Sequence, residues 1–209
     1  MPFDLWLTFV AATIALLLIP GPTVLLVLSY ALSKGRSVAV ASAAGVALGD
    51  LVAMSASLLG LGALVLASAT LFSLLKWVGA AYLIYLGVKL LRSAPTAGLE
   101  LPDADTISAS RVFGHTAAVT ALNPKSIAFF IAFVPQFVRP EAALLPQFSI
   151  LIVTFVTLAA ANAFAYALAA SRLRRVISRP GIITWITRAG GGALVAMGVL
   201  TATLRRGTA

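Results

Sequence analysis

Apolar residues fall along this chain in six long runs, not in the alternating pattern of soluble strands or the one-faced pattern of soluble helices. The runs cover about Leu5 to Leu32, Val38 to Leu64, Leu71 to Leu91, Val112 to Phe137, Leu144 to Leu168 and Ile182 to Leu204. Each is near 20 residues or longer, enough to cross about 30 Å of hydrocarbon as a helix. The pattern predicts an all-α polytopic membrane protein of six transmembrane helices. Polar residues gather between the runs. Ser33-Lys34-Gly35-Arg36 forms a basic turn, Ser93 to Ser110 a polar loop with Glu100, Asp103 and Asp105, and Arg172 to Arg179 an arginine-rich loop.

Two runs are interrupted from within. The first holds Ile19-Pro20-Gly21-Pro22 and the fourth Leu122-Asn123-Pro124-Lys125. Proline removes a backbone donor, and lipid offers no replacement, so both runs are predicted to be broken helices. Proline is tolerated in a first helical turn, where its missing N–H would be unpaired anyway. Pro22 and Pro124 therefore read as starts of second half-helices, with Gly21 and Asn123 as their caps.

The chain also shows weak internal similarity. Pro22 corresponds to Pro124. Gly79 and Gly87 are eight apart, as are Gly190 and Gly198, with Leu83-Ile84 and Leu194-Val195 between them. We divide the chain into a first three-helix repeat (1–92), a cytoplasmic loop (93–111) and a second three-helix repeat (112–209). An odd number of spans per repeat inserts the second copy upside down. Inverted repeats carry their substrate sites at paired broken helices near the midplane. Depth agrees: Asn123 lies about 16 Å into its span and Asp50 about 18 Å, both from the same side.

Composition sharpens this picture. The 209 residues are 61% hydrophobic, with mean hydropathy +1.05. A net charge of +9 would suggest nucleic acid for a soluble chain. Here the basic residues sit in loops after the first, third and fifth runs, as the positive-inside rule expects, so no nucleic-acid partner is implied. That asymmetry places both termini outside. The start, Met1-Pro2-Phe3-Asp4, lacks the basic region of a cleaved signal peptide. Cysteine is absent, which excludes disulfides, thiolate catalysis and zinc–thiolate sites, and a single histidine argues against histidine-held metal or haem. No cofactor is expected.

The polar exceptions then carry the chemistry. Half-helix N-termini after Pro22 and Pro124 would face each other, and their free N–H groups favour an anion. Lys125 adds a full positive charge at an end where a cation is unwelcome. It needs a negative partner, either a substrate carboxylate or Asp50. Asp50 is the main deep acidic residue, placed to exchange a proton or bind a cation, or to form a structural ion pair. We expect a substrate site of Pro20, Gly21, Pro22, Thr23, Asn123, Pro124, Lys125 and Asn162, with Asp50 as the proton-coupling group. Asn162 reads equally as an interhelical hydrogen bond. Gly45-x-x-x-Gly49 reads as a packing face, within one protomer or between protomers of a homo-oligomer. Trp77, Tyr82, Tyr85 and Trp185 read as interface anchors and packing.

Ile19-Pro20-Gly21-Pro22, Gly45-x-x-x-Gly49-Asp50, Lys76-x-x-Gly79-Ala80-x-Tyr82-Leu83-x-x-x-Gly87, and Asn123-Pro124-Lys125 followed by Phe129-Phe130 and Pro135-Gln136-Phe137 resemble the LysE/RhtB-type family of bacterial amino-acid exporters. The resemblance covers nearly the whole chain and is weaker beyond the fourth run. It implies a six-span inner-membrane protein exporting amino acids such as lysine, arginine, threonine, homoserine or leucine, driven by the proton gradient. Substrate does not carry over, because family members differ in it. Two other readings stand beside this one. An exporter of metal or other inorganic cations would show clustered intramembrane carboxylates or histidines, where only Asp50 is evident. An intramembrane enzyme would need a nucleophile–base pair or a metal dyad, where His115 and Asp50 are the obvious acid–base candidates.

Overall fold

A computed structural model describes residues 1–19, 21–67, 69–92, 108–139, 142–177 and 180–203. Helix α1 (Phe3–Leu18) ends at Ile19, whose backbone is extended (φ −74°, ψ 115°). A following proline disfavours the helical conformation at that residue. Helix α2 (Pro22–Lys34) starts on Pro22, and the two axes diverge by 56°. A 3-10 turn, Gly35–Val38, leads into α3 (Ala39–Ala67), followed by α4 (Ala69–Arg92). Helix α5 (Ala109–Ala121) is capped by Ser108, whose hydroxyl accepts from the Arg111 amide at 3.2 Å. Helix α6 (Pro124–Ala128) continues into a π-helical turn, Phe129–Phe133, and a 3-10 turn, Val134–Phe137. Helices α7 (Leu144–Ile177) and α8 (Pro180–Thr203) complete the chain. The described residues contain no strand.

Among them, Ala39–Ala63, Ala109–Phe137 and Leu144–Ala170 are each long and apolar enough to cross a membrane, and the bent pair α1–α2 makes a fourth candidate. The two breaks differ. The first turns the chain sharply, whereas the second interrupts the helix inside one 29-residue span. Helix α7 corrects the sequence reading: it runs on past Leu168 through Arg172, Arg174 and Arg175, where a loop was expected. Arginine is a good helix former, and a helix leaving hydrocarbon has no reason to stop there. Pro20, the 93–107 stretch and Arg179 lie outside the described residues.

Two glycine seams bring helices close. A Cβ at Gly49 would stand 2.6 Å from the Ala117 carbonyl, and one at Gly45 would strike Thr116, so α3 lies directly on α5. The Gly45-x-x-x-Gly49 face therefore packs within the protomer. On α4, a Cβ at Gly87 would stand 2.6 Å from the Gly191 oxygen and 2.7 Å from Val195 Cγ2 of α8. On α8, one at Gly198 would stand 2.8 Å from the Ala80 oxygen and 2.6 Å from Ile84 Cγ1 of α4. The core holds an aromatic cluster in which Phe129 meets Phe130, Phe133 and Phe155, and Phe137 links Phe133 to Phe9. Phe130 and Phe155 meet edge to face at 4.7 Å. Gln147 ties Arg139 to Ala142 and Ala143. Its side chain accepts from the Arg139 amide at 2.8 Å and donates to the Arg139, Ala142 and Ala143 carbonyls.

Candidate functional site

A helix that stops inside a bundle leaves its last four carbonyls without intrahelical partners. In α1 these belong to Leu16, Leu17, Leu18 and Ile19, and side chains from distant elements take all four. Lys125 Nζ donates to Ile19 O at 2.8 Å and Leu16 O at 3.1 Å. Asn162 Nδ2 donates to Leu17 O at 3.2 Å, and the Tyr166 hydroxyl to Leu18 O at 3.4 Å. The Ile19 amide also reaches Leu16 O at 3.2 Å. The Lys125 ammonium thus rests on the negative pole of α1. The partners Lys125 reaches here are carbonyls, and Asp50 is not among them. A broken helix presents a C-terminus as well as an N-terminus, and the lysine uses the former.

The second break is tied to the first. Asn123 (φ −68°, ψ 111°) caps α6, with its Oδ1 accepting from the Lys125 amide at 3.0 Å and Pro124 in the first helical position. Asn123 Nδ2 donates to Thr23 Oγ1 at 3.1 Å, at the start of α2, and the Thr120 hydroxyl reaches the same oxygen at 3.3 Å. One asparagine therefore caps its own half-helix and clamps the opposite one. Gly21 lies under the lysine arm: a Cβ there would stand 3.4 Å from Lys125 Cε and Nζ.

Between the breaks lies a cavity of about 30 Å³. Gly21, Thr23, Asn123, Lys125, Asn162 and Asp50 all line it, so six of the nine residues singled out from sequence share one site. Pro22 and Pro124 flank it and are exposed, each opening its helix. Asp50 is 2% exposed, and its Oδ1 has no hydrogen-bond partner. No direct ion pair joins Asp50 to Lys125, although each is the charge the other feels. The cavity thus holds one carboxylate and one ammonium, of which the ammonium is partnered by carbonyls.

Sequence reasoning missed Tyr166. Its signal was the spacing from Asn162: positions four apart share a helix face, and both side chains cap α1. The tryptophans and tyrosines read as interface anchors point outward, with Trp77, Tyr85 and Trp185 exposed. His115 does not line the cavity; its Nδ1 lies 2.7 Å from the Tyr30 hydroxyl. Among the described residues no three His, Asp or Glu side chains come together.

The sequence matches the family described as LysE type translocator over residues 14–205. It is 34% identical to a homoserine/homoserine lactone efflux protein of Salmonella typhimurium over 205 residues, covering 98% of this chain and 99% of the relative. A membrane protein of Vibrio cholerae is 32% identical over 98% of this chain and its own full length. A leucine efflux protein of Klebsiella pneumoniae is 32% identical over 137 residues, 66% of this chain and 65% of the relative. No solved structure gives a significant match. The match over residues 14–205 and the full-length relatives make this a membrane translocator and not an enzyme: the chain belongs to the LysE type translocator family.

Proposed function

We propose that this protein exports amino acids, or close derivatives, across the bacterial inner membrane by a proton-coupled secondary mechanism. The observation that carries the proposal is the pair of opposite charges, Lys125 and Asp50, lining one cavity between two broken helices. Lysine has three donors. Two lie on α1 carbonyls, which leaves a third to meet a substrate carboxylate beside the N-terminus of α2 at Gly21, Pro22 and Thr23. Pro20, Pro124 and Asn123 shape the breaks, and Asn162 joins the site through the α1 end. Asp50, buried and with its Oδ1 unpartnered, carries the coupling proton. The efflux relatives, named for homoserine and leucine, support this substrate class.

In this reading the chain crosses the membrane six times, as repeats 1–92 and 112–209 inverted about loop 93–111, with both termini outside. The contacts between α4 and α8 support it. Gly87 meets Gly191 and Val195, while Gly198 meets Ala80 and Ile84, and each residue of one set is 111 positions from its counterpart in the other. Such a reciprocal set is what a two-fold axis between antiparallel helices produces. Asp50 and Asn162, 112 apart, keep almost the same register. Export of inorganic cations draws no comparable support, since among the described residues Asp50 is the one carboxylate lining the cavity.

The test is transport by purified protein in proteoliposomes. Counterflow of radiolabelled amino acid is expected, as is efflux driven by an imposed pH difference. Asp50→Asn should abolish the pH-driven component. A variant that still concentrates substrate against its gradient removes Asp50 from the coupling role.

A further inference from the structure

We infer that the transported amino acid has an uncharged side chain, and that Val27, Val46 and Ala163 select it. The inference rests on the export reading above and names the substrate within it. An α-amino acid carries one carboxylate and one ammonium in its headgroup, and the cavity lining offers one charge of each sign. Pairing the headgroup therefore uses both charged residues. Of the other polar lining groups, Thr23 and Asn123 bond each other, Asn162 bonds the Leu17 carbonyl, and Ser126 offers a hydroxyl but no charge.

The rest of the wall is apolar, and its position is definite. Val27 follows Thr23 by four residues on α2, Val46 precedes Asp50 by four on α3, and Ala163 adjoins Asn162 on α7. Val27 and Val46 therefore lead away from the polar groups toward the same end of the bundle, where α2 closes and α3 opens. All three side chains are buried. A substrate side chain directed along them meets only carbon. A neutral chain gains by that burial. A lysine chain would place a second ammonium there with no carboxylate to pair, and an unpaired buried charge is strongly disfavoured. Ala163 is the smallest of the three and so leaves the room that a substrate chain takes up.

Lysine and norleucine test this cleanly, because their carbon chains are the same and lysine adds a terminal ammonium. In proteoliposome counterflow with the wild-type chain, norleucine should be exchanged, and lysine should be weaker by a factor on the order of 100. Equal exchange of the two overturns the inference while leaving amino-acid export intact. Failure of all twenty amino acids and norleucine to give counterflow takes down the export reading and this inference with it. Val46→Asp should shift preference from norleucine toward lysine, and Ala163→Leu should depress norleucine exchange while sparing alanine. Norleucine exchange unchanged in Ala163→Leu would overturn the role of that residue. The wild-type comparison decides the charge question even if neither variant folds.

Discussion

Replacing Lys125 with methionine keeps the length of the side chain and removes its donors. Two charge-assisted bonds are lost, at 2.8 Å to Ile19 O and 3.1 Å to Leu16 O. Leu16 O keeps the Ile19 amide at 3.2 Å, whereas Ile19 O is left with no partner among the described residues. Hydrogen bonds to charged groups contribute about 1.5–3 kcal/mol each. Relief of the cost of burying an ammonium offsets part of this, so the net loss is about 2–4 kcal/mol. At about 2–4 °C per kcal/mol for a chain of this size, thermal unfolding in detergent should fall by roughly 5–15 °C. Lys125→Gln, which keeps an amide donor on a shorter arm, should fall in between. Hydrogen exchange at the end of α1 should accelerate in the methionine variant before the rest of the bundle responds. If Lys125→Met unfolds within about 2 °C of wild type, with the α1 terminus equally protected, the lysine is not what holds that terminus.

Two further outcomes are expected. Gly87→Val and Gly198→Val should destabilise by similar amounts, about 1–3 kcal/mol each from overpacking, because each drives a side chain into the partner helix backbone at matching distances; thermal unfolding showing one tolerated and the other not would break the two-fold relation. Cysteine introduced singly at Ser37 or Thr208 of this cysteine-free chain should react with an impermeant thiol reagent in whole cells at the second position and not the first; the reverse pattern would invert the proposed orientation.

The breaks were legible in the sequence because proline and asparagine act locally. Proline favours the first turn of a helix, and asparagine just before it favours the cap, through contacts within a few residues. The Gly45-x-x-x-Gly49 face was legible for the same reason, although the sequence could not say which helix would lie on it. The partner of Lys125 was not legible. Its two carbonyls lie 106 and 109 residues away, and backbone carbonyls carry no sequence mark. Every break also makes a helix C-terminus, which proline and asparagine do not mark. Tyr166 escaped notice because a tyrosine in an apolar run looks like packing until the acceptor for its hydroxyl is known.

The capping of α1 has a consequence for how the protein is made. Its last carbonyls are satisfied by side chains that emerge from the ribosome much later: Lys125 follows Ile19 by 106 residues, and Asn162 and Tyr166 come later still. At about 5–20 residues per second, roughly 5–20 s of synthesis separate the inserted α1 from its first cap. Through that interval the end of α1 depends on water or on the insertion machinery for its hydrogen bonds, because lipid supplies none. The part of the chain made before Lys125 thus waits during biogenesis, and the end of α1 is completed only when the later helices arrive.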